Sequence, residues 1–153
     1  MPSHPMSTDE IRAFLEAEPP RIAKLATVRA DGRPHVAPVW AVLDPTAADD
    51  ASPVGDLVFN TGRTTVKGAN LLRDPRVALS YDDERRPFSF VVIDGIATVS
   101  QDPEELLRSA TVIGGRFMGQ DRAEEYGRRN AVPGELVVRV RPTHITAVAG
   151  VAD

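Results

Sequence analysis

The chain has no cysteine among its 153 residues, and its three histidines, His4, His35 and His144, lie far apart. Disulfide frameworks are thereby excluded, and no metal site of the usual zinc spacing can be written down. Aromatic residues make up only 5%, and neither sign of charge dominates, with 18 Lys and Arg against 22 Asp and Glu for a formal net charge of -4. A barrel that binds single-stranded nucleic acid needs a basic groove with aromatic platforms, so this balance argues against one. No apolar run approaches the roughly 18 residues that a membrane span requires. The start, "MPSHPMSTDE", lacks the basic region and apolar stretch of a secretory signal, and the expected address is the cytoplasm.

What is present suffices for a core. Hydrophobic residues reach 42%, and a chain of this length buries roughly two thirds of the surface its unfolded form exposes, so one domain over residues 1–153 is expected. Ser7 with Glu10 three positions on reads as a capping box, followed by Ile11, Phe14 and Leu15 at helical spacing until Pro19 and Pro20, which predicts an N-terminal helix within residues 1–19. The pattern then becomes β-like around Asp31-Gly32, giving a hairpin of strands over 21–29 and 34–43. Pro38 cannot donate a ladder hydrogen bond, so it should lie at an edge, a bulge or an opening of the ladder. Residues 44–56, "DPTAADDASPVGD", show no periodicity and are expected to form a mobile hairpin tip.

A third strand is expected over "DLVFN" and a short helix over "TTVKGANLLRD", ended by Asp74-Pro75 because the residue before proline disfavours helix. "RVALSYD" (76–82) and "FSFVVIDGIATVS" (88–100) read as further strands, with Gly95 a bulge or bend. Asp102-Pro103-Glu104-Glu105 has the features of a helix start; the helix is expected to run to Gly114-Gly115, with a second helical piece over 121–129. A turn at Pro133-Gly134 leads into a last strand from Glu135 to Gly150. Six strands joined mostly by hairpin-like links, with helices inserted between some of them, predict a mainly β, antiparallel barrel with flanking helices rather than a doubly wound parallel sheet.

The segment "NTGRTTVKGANLL" (60–72) carries the clearest chemistry. It is not a nucleotide P-loop, for it lacks the second glycine before the lysine and the Ser/Thr after it. It does combine a helix start, the hydroxyls of Thr61, Thr64 and Thr65, and the cations Arg63 and Lys67, which together suit a phosphate. The alternative is that Thr61 or Thr64 is simply an N-cap and the cations are solvated. Arg63 speaks for an anion, because a cation at a helix N-terminus opposes the macrodipole.

Three stretches, "KLATVRADGRPHVAPVW", "LVFNTGRTTVKGANLLRDPRVALSYDD" and "PFSFVVIDGIATVSQDPEELL", resemble the pyridoxamine 5′-phosphate oxidase-like split barrels, and within them the branch that uses the deazaflavin coenzyme F-420. The resemblance implies a six-stranded antiparallel split β-barrel of Greek-key type that forms a homodimer, with a flavin-type cofactor in grooves between the subunits. It places Pro38, Val39 and Trp40 along the tricyclic ring, and Asn60 and Thr61 at the ring edge or ribityl chain. Thr65, Lys67 and Asn70 would hold the phosphate, with Arg63 near the charged tail. Phe88 and Ser89 of the second subunit would close the groove. Vitamin B6 oxidases of this family carry a C-terminal Arg and Trp arrangement, whereas here the only tryptophan is Trp40, which argues against that role.

The function implied is an oxidoreductase in which reduced F-420 passes a hydride to a conjugated small molecule, with FMN as the alternative cofactor. No catalytic side chain is named, since the cofactor carries the hydride chemistry and the protein orients it. The other class left open is a non-catalytic module that binds a flavin, a deazaflavin or haem. His35 and His144 are read as structural or exposed.

Overall fold

The computed structural model describes residues 2–153. Its strands are β1 (His4–Pro5), β2 (Ala23–Val28), β3 (Pro34–Val39), β4 (Val42–Asp44), β5 (Asp56–Gly62), β6 (Arg76–Asp82), β7 (Phe90–Ser100) and β8 (Glu135–Ala149). The helices are α1 (Thr8–Leu15), α2 (Val66–Arg73), α3 (Pro103–Met118) and α4 (Ala123–Asn130). All strands join one antiparallel sheet of eight in the order β3-β2-β6-β7-β8-β5-β4, with β1 pairing β8. The two ends of that order, β3 and β4, are consecutive in the chain and separated only by Trp40 and Ala41. The sheet therefore curls until its edges meet at this corner, which gives the split barrel expected from the sequence.

The count of eight strands corrects the expected six. The segment read as one strand over 34–43 breaks at Trp40-Ala41, and His4–Pro5 adds a short strand. Pro38 lies on β3, at the outer end of the sheet order opposite Lys24 of β2, the edge placement that its missing N–H requires. The bulge falls at Gly95, where the register of β7 on β8 shifts. A Cβ there would stand 2.6 Å from the Val140 side chain, so only glycine lets the long β8 pass so closely. No helix is long and apolar enough to cross a membrane among the described residues.

Alternation along the strands divides the packing into two. Leu25, Leu57, Phe59, Leu79, Ile93, Leu136, Val138 and Val140 fill the barrel and are all but completely buried, each contributing roughly 1.5–3 kcal/mol by leaving water. Their strand neighbours Val58 and Val137 face outward and pack under α3 against Leu106 and Ile113, joined by Trp40 and Phe117. Helix α3 continues beyond the stop expected at Gly114-Gly115. Those glycines give room for the returning chain: a Cβ on Gly114 would meet the Tyr126 Cβ at 2.5 Å. They serve helix packing rather than termination.

Residues 44–56, expected as a mobile tip, are tied down. A 3-10 turn spans Pro45–Ala47, and Ser52 and Val54 are buried. The outward-facing Arg139 of β8 donates to Asp44 at 2.9 Å and Asp56 at 3.2 Å, while Arg141 donates to Asp56 at 3.1 Å and the Ala47 carbonyl at 2.9 Å and pairs with Asp49. The ion pairs thus hold the loop to a strand that lies far away in sequence.

Helix α2 is fixed against β5 by its N-cap. The cap is Thr65, in place of the Thr61 or Thr64 considered from the sequence, because β5 runs on to Gly62 in register with Glu135 and the helix begins later. The Thr65 hydroxyl accepts from the Gly68 N–H at 3.0 Å and donates to the Gly62 carbonyl at 2.8 Å. A Cβ on Gly68 would lie 2.1 Å from that same carbonyl oxygen. Gly68→Ala must push α2 off the sheet, and a loss of about 2–3 kcal/mol is expected, read as a lower denaturant midpoint; an unchanged midpoint would contradict the close approach.

The Thr46 hydroxyl, followed by Arg139, holds the Asp44 carboxyl below its ordinary pKa. A carboxylate whose folded-state pKa is depressed stabilises the fold above its unfolded value near 3.9, and that stabilisation fades as pH falls through the lowered native value. Asp44→Asn should therefore lower stability at pH 7 by roughly 1 kcal/mol while losing less than the parent between pH 5 and pH 2. Denaturant unfolding at a series of pH values checks this, and parallel curves would contradict it.

Candidate cofactor site

The barrel corner, the end of β5 and the start of α2 come together with the α3-α4 insertion around a cavity of about 430 Å³. This volume is in the range of small-molecule sites. Pro38, Val39 and Trp40 form one wall, Asn60, Thr61 and Gly62 the end of β5, and Thr65 and Lys67 the approach to α2. Opposite them stand Ile113 of α3, Arg129 and Asn130 of α4, then Val132 and Glu135. The cavity thus has an apolar wall at the corner and charged groups at the helix end.

Each wall has a local cause. At the corner, the Trp40 ring lies nearly parallel to Phe117 of α3, with centroids 5.2 Å and planes 8° apart. Trp40 is therefore both a packing residue of the outer cluster and a cavity residue. Asn60 faces outward from β5, and its amide donates to the Ser109 hydroxyl of α3 at 2.9 Å. That bond fixes the side chain and leaves its carbonyl oxygen to accept from a ligand.

The helix end offers donors to an anion. With Gly68 capped and the Ala69 N–H bonded to the Thr65 carbonyl at 2.9 Å, the N–H groups of Val66 and Lys67 have no protein acceptor among the described residues. The first turns of α1, α3 and α4 carry acidic residues, whereas that of α2 carries none and includes Lys67. A cation against the positive end of a helix is unfavourable until an anion joins it.

Three charged side chains line the cavity: Lys67, Arg129 and Glu135. Glu135 opens β8 opposite Gly62, and its carboxylate stands 3.5 Å from where a Gly62 Cβ would be, as does the Thr65 methyl group. Burial raises the Glu135 pKa above its ordinary value, and the charge of Lys67 opposes the rise. The Arg129 guanidinium lies 5.3 Å from the Tyr126 ring.

Of the residues singled out in the sequence, Pro38, Val39, Trp40, Asn60, Thr61, Thr65 and Lys67 line this one cavity. Their roles differ in detail from those expected. The Thr65 hydroxyl is committed to the cap, and the Thr61 hydroxyl lies 3.1 Å from it. Asn70 faces elsewhere: buried, it donates to the Thr27 hydroxyl at 3.0 Å and accepts from Arg73 at 3.2 Å, which fastens α2 to β2. Arg63 is exposed and does not line the cavity, its backbone N–H bonding the Gly134 carbonyl at 2.8 Å.

Phe88 and Ser89 fall in the turn before β7 rather than within the strand. Phe88 is exposed at a φ of 66°, and Ser89 accepts from the Gly150 N–H at 3.0 Å. Neither lines the cavity of its own chain. Arg129, Asn130, Val132 and Glu135 were missed in the sequence because only the pairing of β5 with β8 and the return of α4 bring them to this cavity.

Comparison with known proteins agrees with this fold. A family model described as pyridoxamine 5′-phosphate oxidase matches residues 7–149. No curated protein matches the chain significantly. Among solved structures, a conserved hypothetical protein from Mycobacterium tuberculosis superposes with a TM-score of 0.74 at 26% identity, over 93% of this chain and 84% of that one. An F-420 reductase superposes at 0.63 with 25% identity, over 88% and 94% respectively. The haem storage protein HutZ from Vibrio cholerae, at 17% identity, 95% coverage of both chains and a TM-score of 0.62, shares the fold. With its curled antiparallel sheet and a family match over nearly its whole length, the chain belongs to the pyridoxamine 5′-phosphate oxidase family.

Proposed function

We propose that the protein is an oxidoreductase that binds reduced F-420 in this cavity and uses it to reduce a conjugated organic small molecule. The observation that carries the reading is the pairing of an apolar wall, Pro38 to Trp40, with a helix end whose Val66 and Lys67 N–H groups are free and which bears the Lys67 ammonium. A tricyclic ring with a phosphate-bearing arm needs both, one to stack against and one to hold its charge. The F-420 reductase among the solved relatives supports the deazaflavin, and FMN, built on the same plan, is the alternative.

When bound, such a cofactor supplies the hydride chemistry. The chain's own residues supply placement. The N–H groups of Val66 and Lys67 and the Lys67 ammonium hold the phosphate. The corner wall orients the ring, its position fixed by the stack of Trp40 on Phe117, and the Asn60 carbonyl oxygen accepts from the ring's polar edge. Ile113 and Val132 keep water from the ring face. None of the three histidines lines the cavity, and solvent can supply the proton that completes a reduction.

In this reading the protein works as a homodimer with a cofactor groove on each side of the subunit interface. The exposed Phe88, held in the left-handed backbone region, is the side chain that a second copy would lay across the groove. Strain of that kind costs about 1–3 kcal/mol and collects at functional positions. Arg63, exposed beside the cavity mouth, would meet the anionic tail of the deazaflavin.

Lys67→Ala tests the phosphate assignment without touching the core. A loss of at least about tenfold in F-420 affinity is expected, measured by quenching of Trp40, the only tryptophan. Unchanged affinity in a folded variant would refute it. If the wild type binds FMN and not F-420, the alternative cofactor stands in its place.

A further inference from the structure

The cavity contains a carboxylate where a phosphate site ordinarily has none. Glu135 stands over Gly62, beside the Thr65 cap and within the electrostatic reach of Lys67. It has no hydrogen-bond or ion-pair partner within the protein among the described residues, so packing alone does not explain its charge. Its position is set firmly by backbone: Glu135 is paired with Gly62 in the β5-β8 ladder, and its N–H bonds the Val132 carbonyl at 3.1 Å. The backbone therefore keeps Glu135 beside the helix end. Gly62 has no side chain, and the space above it lies between the Glu135 carboxylate and the Thr65 methyl group.

A negative group beside an anion site discriminates by the charge of the anion. The cofactor chemistries in question differ in that respect: the phosphate of F-420 is a diester bearing a single charge, whereas FMN ends in a monoester bearing about 1.5 to 2 charges near neutral pH. Lys67 and Arg129 attract both, and Glu135 repels the monoester more. We propose that Glu135 is a specificity-determining residue that biases the cavity toward a singly charged phosphodiester and against a doubly charged phosphomonoester. The inference rests on the reading of the cavity as a flavin-type cofactor site. It adds to that reading a reason, within the chain's own residues, for a deazaflavin in place of FMN.

The test is to measure dissociation constants of the full-length wild type and Glu135→Gln for F-420 and for FMN, by Trp40 fluorescence and by absorbance retained on gel filtration. Glutamine keeps the shape and removes the charge, and Glu135→Ala is the second variant, expected to move the same way. Thermal unfolding verifies that both variants fold. Removing the charge should improve FMN affinity about three- to tenfold more than F-420 affinity. If the wild type binds either cofactor but the two affinities change equally, or do not change, the specificity role is wrong while the cofactor site stands. If neither the wild type nor the variants bind either compound, the cofactor reading is wrong and the specificity role falls with it.

Discussion

Much of the structure depends on the approach of α2 to the end of β5, where one hydroxyl joins the two. Thr65 donates to the carbonyl of Gly62 and accepts from the N–H of Gly68, so a single side chain ends the strand and starts the helix. The absence of a side chain at position 68 allows the contact. From it follow the direction of the α2 axis, the exposure of the Val66 and Lys67 N–H groups, and the position of the Lys67 ammonium. Asn70, which bonds Thr27 and Arg73 one turn further on, locks the other side of the helix to β2. The chemistry of the site is thus a consequence of how tightly a short helix can be docked.

The other half of the site comes from the α3-α4 insertion. Outward-facing Val58 and Val137 give the barrel a second apolar face, and α3 covers it with Leu106 and Ile113. The close packing at Gly114, Gly115 and Gly127 lets α4 return along α3 and deliver Arg129 and Asn130 to the cavity. A barrel without this insertion would offer the start of α2 and the apolar corner wall with nothing opposite them. With it, the cavity gains two apolar side chains and one further cation, and the start of β8 contributes the carboxylate.

Local signals in the sequence translated directly into structure. Ser7 and Glu10 form their capping box, Asp102 caps α3, and Gly95 marks the bulge, because each depends on neighbours a few residues away. The corner at Trp40-Ala41 was not legible, since the apolar pattern runs on through it and the break is imposed by closing the barrel. Nor was the pinning of residues 44–56, which depends on Arg139 and Arg141 nearly a hundred positions away. Among Thr61, Thr64 and Thr65 the sequence had no means of choosing the cap; the length of β5 chooses it. The corner and helix-start residues of the cavity were readable from motif and resemblance, while Arg129 and Glu135 were not, because they share a cavity with Lys67 only in three dimensions.

The central claim is that one cavity holds both the ring and the phosphate of a flavin-type cofactor. A crystal structure of the protein soaked or grown with F-420 tests it most directly. The account predicts the phosphate within hydrogen-bond distance of the Val66 and Lys67 N–H groups, roughly 2.7–3.2 Å, with the tricyclic ring along Pro38, Val39 and Trp40. A cofactor seated elsewhere, for example in the second hollow lined by Val42, Arg108 and Arg139, would contradict it.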